Sequence, residues 1–276
     1  MTMHVLTWNL WWRFGPWRER QPAIEAELAS CAPDVACFQE VWAIDGDDQM
    51  DRITSATGLR HVARSRTAEG VPFRFGNAVA SRWPLTDLGT IRLPSADGRP
   101  GHRSAVMATV ATPLGEVLVV STHLAWQYDR SALRRQQLGL VVDVAVKQHG
   151  SLNARVPVDR QLPMILCGDL NATPDSDEIR HLTGVAPPYR SGTIFTDVWA
   201  AVGDGDGHTW TRRNPHTPDA VWPRRRLDYV AVSWPRPDRT LNPQSVDLVG
   251  VEAHAGMVPS DHYGVLAVLD ERGPEA

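Results

Sequence analysis

Six times along this chain a short apolar run ends in a carboxylate, an amide or an imidazole, and no other feature constrains the fold as tightly. The endings are Trp8-Asn9, Phe38-Gln39-Glu40, Ser121-Thr122-His123, Cys167-Gly168-Asp169-Leu170-Asn171, Leu227-Asp228-Tyr229 and Ser260-Asp261-His262. In layered α/β folds, strand ends are where distant parts of a chain converge on a rigid site. Six polar tips therefore predict one cleft.

Apolar, β-branched runs between Gly/Pro punctuation predict strands over 4–8, 35–39, 78–81, 105–111, 117–122, 164–167, 227–232 and 264–269. Helical spacing predicts helices over 21–32, 49–57 and 131–149, and in the last of these Leu133, Leu138, Leu140, Val141, Val144 and Ala145 gather toward one side. The Pro/Gly-rich stretches 94–101 and 211–223 read as surface loops, the second bordering a substrate cleft. Nothing in the composition divides the 276 residues, of which 42% are hydrophobic, so a single domain spanning 1–276 is expected.

A formal charge of -4 weighs against the broad basic surface that long nucleic acids select. Local basic patches remain at Arg134-Arg135 and Arg224-Arg225-Arg226, although such runs are usually solvated faces. Cys31, Cys37 and Cys167 form no Cys-x-x-Cys pair and lie in apolar stretches, which argues against disulfides and structural zinc. The opening residues have neither a basic leader nor a long apolar segment. A soluble, cytoplasmic monomer without a membrane anchor is expected.

The polar tips are rich in Asp, Glu and Asn oxygens, the donor set of magnesium or manganese, whereas zinc prefers closely spaced His and Cys. Glu40, joined by Asp261, would hold such an ion with several waters retained, an arrangement suited to cleaving a phosphate ester. Each residue alone has a plainer reading. Asn9 and Asp261 can cap turns, Glu40 can open a helix, and Asp169 and Asn171 are good turn formers before Thr173-Pro174.

Taken together and in order, the six motifs resemble the signatures of the endonuclease/exonuclease/phosphatase superfamily. His123 places the chain nearer the deoxyribonuclease, sphingomyelinase and tyrosyl-DNA phosphodiesterase branches. The resemblance implies a four-layer α/β sandwich of two packed, mainly antiparallel sheets flanked by helices. It implies Glu40 as principal metal ligand, Asn9 beside it and Asp261 as a direct or water-mediated ligand. Asp169 would position or deprotonate the attacking water, Asn171 would hold the phosphate, and His262, its tautomer fixed by Asp228, would donate to a phosphoryl oxygen. His123 would be a second phosphate-binding imidazole. Arg134, with Gln137, would brace the site or touch substrate, and Trp210 would stack on a substrate ring. The implied activity is metal-dependent hydrolysis of a small or terminal phosphoester. The alternatives are a metal-dependent nuclease and a non-catalytic phosphate-binding module.

Overall fold

A computed structural model describes residues 1–44, 46–66, 73–149, 162–217, 224–233 and 241–270. In chain order the elements begin β1 (Thr2–Asn9), α1 (Trp17–Cys31), β2 (Val35–Ile44), β3 (Asp47–Asp48), α2 (Gln49–Ala56), β4 (His61–Arg64) and β5 (Phe73–Ser81). They continue with β6 (Leu85–Pro94), β7 (Pro100–Thr112), β8 (Gly115–His123), α3 (Ser131–His149), β9 (Met164–Asp169) and α4 (Asp177–Thr183). The last are β10 (Phe195–Asp197), α5 (Val198–Val202), β11 (Trp210–Thr211), β12 (Arg224–Arg225), β13 (Asp228–Ser233), β14 (Asn242–Val249) and β15 (Gly264–Asp270). Part of the expected loop over 211–223, residues 218–223, lies outside the described residues.

Two sheets carry the architecture. One runs β14-β15-β1-β2-β5-β4, with β3 on β2, and the other runs β10-β13-β9-β8-β7-β6. Pairing is antiparallel except for β1 with β2 and β8 with β9. Each parallel pair is joined through a helix, α1 or α3, because parallel neighbours need a long crossover.

Period-two alternation makes the layers. Met3, Val5, Cys37, Val117, Val119, Ile165, Cys167, Val230 and Val265 meet in the core between the sheets. The alternate residues Leu6, Trp8, Ala36 and Phe38 pack under Ile24 and Leu28 of α1 and Met50 and Ile53 of α2. On the far side Leu118, Val120, Leu166 and Tyr229 pack under Leu138, Val141 and Ala145 of α3 and Ile179 of α4. The result is the expected four-layer α/β sandwich, mainly antiparallel. No helix among the described residues is long and apolar enough to cross a membrane.

The helix α1 begins a turn earlier than its predicted start at residue 21. Pro22 lies inside it, leaving the Arg18 carbonyl without its usual donor rather than ending the helix.

Candidate active site

The alternation that builds the core also delivers the polar tips. In β1 the inward series Met3, Val5, Thr7 ends at Asn9; in β8, Val117 and Val119 lead to Ser121 and His123; in β9, Ile165 and Cys167 lead to Asp169. Asn9 is in register with Gln39, and His123 with Asp169, which in turn pairs with Asp228 at the start of β13. Both parallel pairs therefore end at the same pole of the sandwich. At residue 168 only glycine fits, since a Cβ there would stand 1.9 Å from the Thr122 carbonyl oxygen.

Glu40 arrives by a different device. A bulge interrupts the pairing of β2 with β5 between Phe38 and Val41, and Glu40 inside it has φ +55°. Bulges re-aim side chains, and positive φ in a non-glycine residue is strain tolerated at functional positions. Beneath the site, Gln39 is fully buried and joins the sheets, donating to Ser121 Oγ at 3.1 Å, while Ser121 Oγ donates to the Phe38 carbonyl at 3.1 Å.

Asp169 is the hub. Asn9 Nδ2 donates to its Oδ2 at 3.0 Å, the Asn171 backbone N–H donates to Oδ1 at 3.0 Å, and His123 Nε2 lies 3.3 Å from Oδ2. Burial pushes the Asp169 carboxyl up, but the two imidazoles of His123 and His262 and the Asn9 amide outweigh it and hold it below the usual carboxylate range. His262 presents Nδ1 to Asp228 Oδ2 at 2.8 Å and Nε2 toward Asp169 Oδ2 at 3.8 Å. Burial alone would lower its pKa, yet the carboxylates of Asp228 and Asp169 raise it well above that of an ordinary imidazole. Its surroundings thus favour the charged form of His262, with Nδ1 against Asp228, whose own carboxyl burial pushes up, and Nε2 turned toward the cleft.

His123 is its opposite. Arg103 Nη1 donates to His123 Nδ1 at 2.7 Å, and a guanidinium has no acceptor to offer, so the ring proton resides on Nε2, which donates to Asp169. Burial, then the Arg103 charge, pulls the His123 pKa down to about 4. Both of its nitrogens therefore already have protein partners.

The loop that carries Asp261 and His262 is pinned from several sides. Ser260 Oγ donates to the Asn9 carbonyl at 2.7 Å, Asn214 Nδ2 to the Ser260 carbonyl at 2.8 Å, and Trp8 Nε1 to the His262 carbonyl at 2.9 Å. Arg20, only 1% exposed, donates to the carbonyls of Leu10, Trp11, Trp12, Phe14 and Pro259. It locks the loop after β1 against the loop before His262. Burial lowers its pKa to about 10 against the raising pull of Asp261 and Glu40.

Asn9, Glu40, His123, Asp169, Asn171, Trp210, Asp261 and His262 line one cleft of about 390 Å³, and Asp228 stands behind His262. Arg134 does not line it. Its guanidinium is buried against Glu178 and donates to the carbonyls of Ala125 and Gln127, while Gln137 accepts from the Ala125 N–H and donates to the Pro94 carbonyl. Arg134 therefore stands neither in the cleft lining nor on an exposed helix face.

Several cleft residues lie outside the six motifs. Arg103 is the chief of them, with Phe14, Trp126, Tyr128 and Arg225 beside it. Arg103 stands just before the apolar run 105–111, which is the same signature of a polar tip on an apolar run, placed at the opposite end. Arg225, read from sequence as a solvated charge, instead lies 5.0 Å from the Tyr128 ring centroid at the cleft wall.

Two donor sets compete for a cation. Asp169, Asp228 and His262 have ligand atoms within 4.8 Å of one another. The 2.8 Å contact between His262 and Asp228 is, however, a hydrogen bond whose proton an ion would have to displace. Glu40, Asp261 and Asn9 fit a hard ion better. Desolvation, opposed by Arg103 and assisted by Asp169, raises the Glu40 pKa. Desolvation likewise brings Asp261 to about 7, with Glu40 adding to the rise. Buried carboxylates that repel one another without sufficient counter-charge are what a divalent cation relieves.

The fold and the site together define a four-layer α/β sandwich with an acid–imidazole centre at one pole of its sheets. The pattern of the Endonuclease/Exonuclease/phosphatase family matches residues 6–262, and the chain belongs to that family. The human protein named 2',5'-phosphodiesterase 12 is 26% identical over 209 residues, which cover 67% of this chain and 32% of that one. The Schizosaccharomyces pombe inositol phosphosphingolipids phospholipase C is 25% identical over 213 residues, 72% of this chain and 46% of that one. The chain thus spans less than half the length of either relative. Among solved structures, D. rerio TDP2 complexed with single strand DNA product superposes with a TM-score of 0.74 at 18% identity, covering 98% of this chain and 99% of that one. An endonuclease/exonuclease/phosphatase from Beutenbergia cavernae DSM 12333 gives 0.67 at 25% identity over 99% of this chain and 72% of that one.

Proposed function

We propose that this chain is a metal-dependent phosphoester hydrolase whose reaction centre is Asp169 and His262, with residues 1–276 acting as one catalytic domain. The observation that carries the reading is the opposed charge state of these neighbours. Asp169 is held as an anion by donors on three sides, and 3.8 Å away His262 is held as a cation by Asp228. A carboxylate acceptor beside an imidazolium donor suits water attacking phosphorus while charge builds on the phosphoryl oxygens.

In this reading Asp169 orients the attacking water and accepts its proton. His262 Nε2–H donates to a phosphoryl oxygen, and Asp228 maintains its charge and ring orientation. Asn171, whose αL backbone (φ +50°) turns it back into the cleft, steadies the phosphate through its side-chain amide. His123 acts on Asp169 rather than on the phosphate, and Arg103 fixes its tautomer. A magnesium or manganese ion held by Glu40, Asp261 and Asn9 would supply charge neutralisation at the phosphoryl oxygens. The buried thiols of Cys37 and Cys167, neither of them in a disulfide, support a reducing, cytoplasmic setting. The protein acts as a monomer.

The test is release of 4-nitrophenol from bis-(4-nitrophenyl) phosphate and from 4-nitrophenyl phosphate with magnesium, manganese or EDTA, for wild type and Asp169→Asn. We expect metal-dependent release that falls by roughly 10²–10⁴-fold in the variant. Equal release by both proteins would overturn the role of Asp169. Absence of release from either ester would favour a binding module over an enzyme.

A further inference from the structure

One carboxylate outside the reaction centre takes hold of the segment that delivers His262. Residues 250–263 connect β14 to β15, whose adjoining ends, Val249 and Gly264, are paired. That connection is far longer than the roughly two to five residues that join most antiparallel neighbours, and Asp261 and His262 lie near its end. Its outgoing half is in solvent: residues 251–253, 255 and 256 are exposed, and His254 and Met257 are partly covered. A tight turn closes that half. His254 and Met257 exchange both backbone hydrogen bonds, at 2.9 and 3.0 Å, across Ala255 and Gly256, which both have positive φ.

Glu27 of α1 clasps this half at two points. Its Oε1 accepts from the Gly250 backbone N–H at 2.8 Å, and its Oε2 pairs with His254 Nε2. Both side chains are partly buried, so solvent screens the pair less than it would at an open surface. A carboxylate one turn from the C-terminus of α1 gains nothing from the helix dipole, so the helix itself does not account for it. Arg20 stands roughly two turns earlier on the same helix and donates to the Pro259 carbonyl at 2.9 Å. Helix α1 therefore grips the connection on both limbs, with Glu27 on the outgoing one and Arg20 on the returning one. Trp8 lies between the grips and the site. Gly250 sits so closely on the Trp8 indole that a Cβ would stand 2.5 Å from Cζ2, and the same indole donates from Nε1 to the His262 carbonyl at 2.9 Å. What holds Gly250 on Trp8 thus bears on where His262 sits.

Resting on the hydrolase reading above, we propose that Glu27 is a positioning residue for His262, acting through Gly250 and Trp8, with His254 completing the clasp. Glu27 does not line the cleft. It keeps the returning limb in the arrangement in which His262 meets both Asp228 and the cleft. Without the clasp the exposed half is free to move as surface loops do, and a smaller fraction of molecules holds His262 in place. Turnover then falls in proportion to that fraction, while the molecules that remain in place bind substrate as before.

The experiment measures kcat and KM for bis-(4-nitrophenyl) phosphate and 4-nitrophenyl phosphate with magnesium or manganese. The proteins are wild type, Glu27→Ala, Glu27→Gln, His262→Ala and the double variant Glu27→Ala/His262→Ala, each at a temperature where its near-UV circular dichroism is native. Glu27→Ala should lower kcat by roughly three- to thirtyfold with KM unchanged. Glu27→Gln keeps an oxygen for the Gly250 N–H and should restore most of that loss. In the His262→Ala background Glu27→Ala should cost no further turnover, because the residue it positions is gone. The imidazole nitrogen resonances of His262, followed by NMR without substrate, should shift or broaden in Glu27→Ala. Should Glu27→Ala fail to fold, His254→Ala, which cuts only the outer contact, takes its place with a smaller expected drop. An unchanged kcat overturns the proposal, as does a loss of the same size with and without His262. A lowered unfolding midpoint with the His262 resonances unmoved also overturns it, since Glu27 is then merely structural. If wild type cleaves neither ester with either metal, the hydrolase reading falls and the NMR spectra alone decide: displaced His262 resonances keep the clasp, and unmoved ones reject it.

Discussion

The site is assembled from two parallel strand–helix–strand units, one in each sheet, that end at the same pole yet are electrically unlike. The first unit, β1-α1-β2, contributes Asn9 and Glu40, and the neighbouring loop adds Asp261; both carboxyls titrate above their ordinary range. The second, β8-α3-β9, contributes His123 and Asp169, and here the carboxyl is held below its ordinary range by imidazoles and amides. One half is short of positive charge and the other is not. That asymmetry separates the half that needs a cation from the half that already holds its proton acceptor.

Each unit also uses one buried arginine to fasten the loop leaving its first strand, and the two can be set against each other. Arg134 is paired with Glu178, which is 0% exposed. Arg134→Met would strand that carboxylate and should cost about 3–5 kcal/mol of stability in urea unfolding, with metal affinity of the folded protein little changed. Arg20 faces the site, with Asp261 and Glu40 in its field. Arg20→Met should cost a similar amount and should also alter metal affinity. Equal behaviour of the two variants in a calorimetric metal titration would break the distinction.

The fold was legible in sequence where burial was symmetric. The eight runs read as strands became β1, β2, β5, β7, β8, β9, β13 and β15, which are the interior strands of the two sheets. Every strand at a sheet edge was missed: β14, β4, β10 and β6. An interior strand is covered on both faces and reads as a continuous apolar run, while edge strands such as β14, with exposed Gln244, Ser245 and Asp247, mix polar residues into the pattern. The site was legible for a related reason, because a charged tip on a buried run stands out. Arg103 precedes its apolar run instead of following it, and so lies outside that pattern.

Within the second half, His262→Ala removes the donor that faces the phosphoryl oxygen. A loss of about 2.7–4 kcal/mol in transition-state stabilisation is expected, roughly 10²–10³-fold in kcat with KM nearly unchanged. Asp228→Asn should reproduce part of this loss and move the alkaline limb of the rate profile to lower pH. Its amide no longer raises the His262 pKa, so the imidazolium deprotonates earlier as pH rises. An unchanged limb would mean that His262 is not the group titrating.

The smallest effect tests the first half without any substrate. Asp261 titrates near 7 in the folded protein, above the unfolded carboxyl at about 3.9. A pKa raised on folding means that the native state retains its proton more strongly, so its contribution to stability is full below about pH 4 and is lost as pH rises through 7. Metal-free protein should accordingly lose stability between pH 5 and 7.5 in urea unfolding, and Asp261→Asn should flatten that slope. Asp169, displaced in the opposite direction, changes stability only at more acid pH and does not confuse the window. The contribution of His262, whose folded pKa is also raised, is lost only as pH climbs above that of a free imidazole, and the Asp261→Asn control separates the two. A metal ion reverses the balance because it binds the carboxylate. Affinity measured by calorimetry should fall by about tenfold for each pH unit below 7, the loss of one displaced proton. If affinity is flat across that range while Asp261→Asn leaves it unaltered, the ion is held elsewhere, and the cluster of Asp169, Asp228 and His262 becomes the site to test.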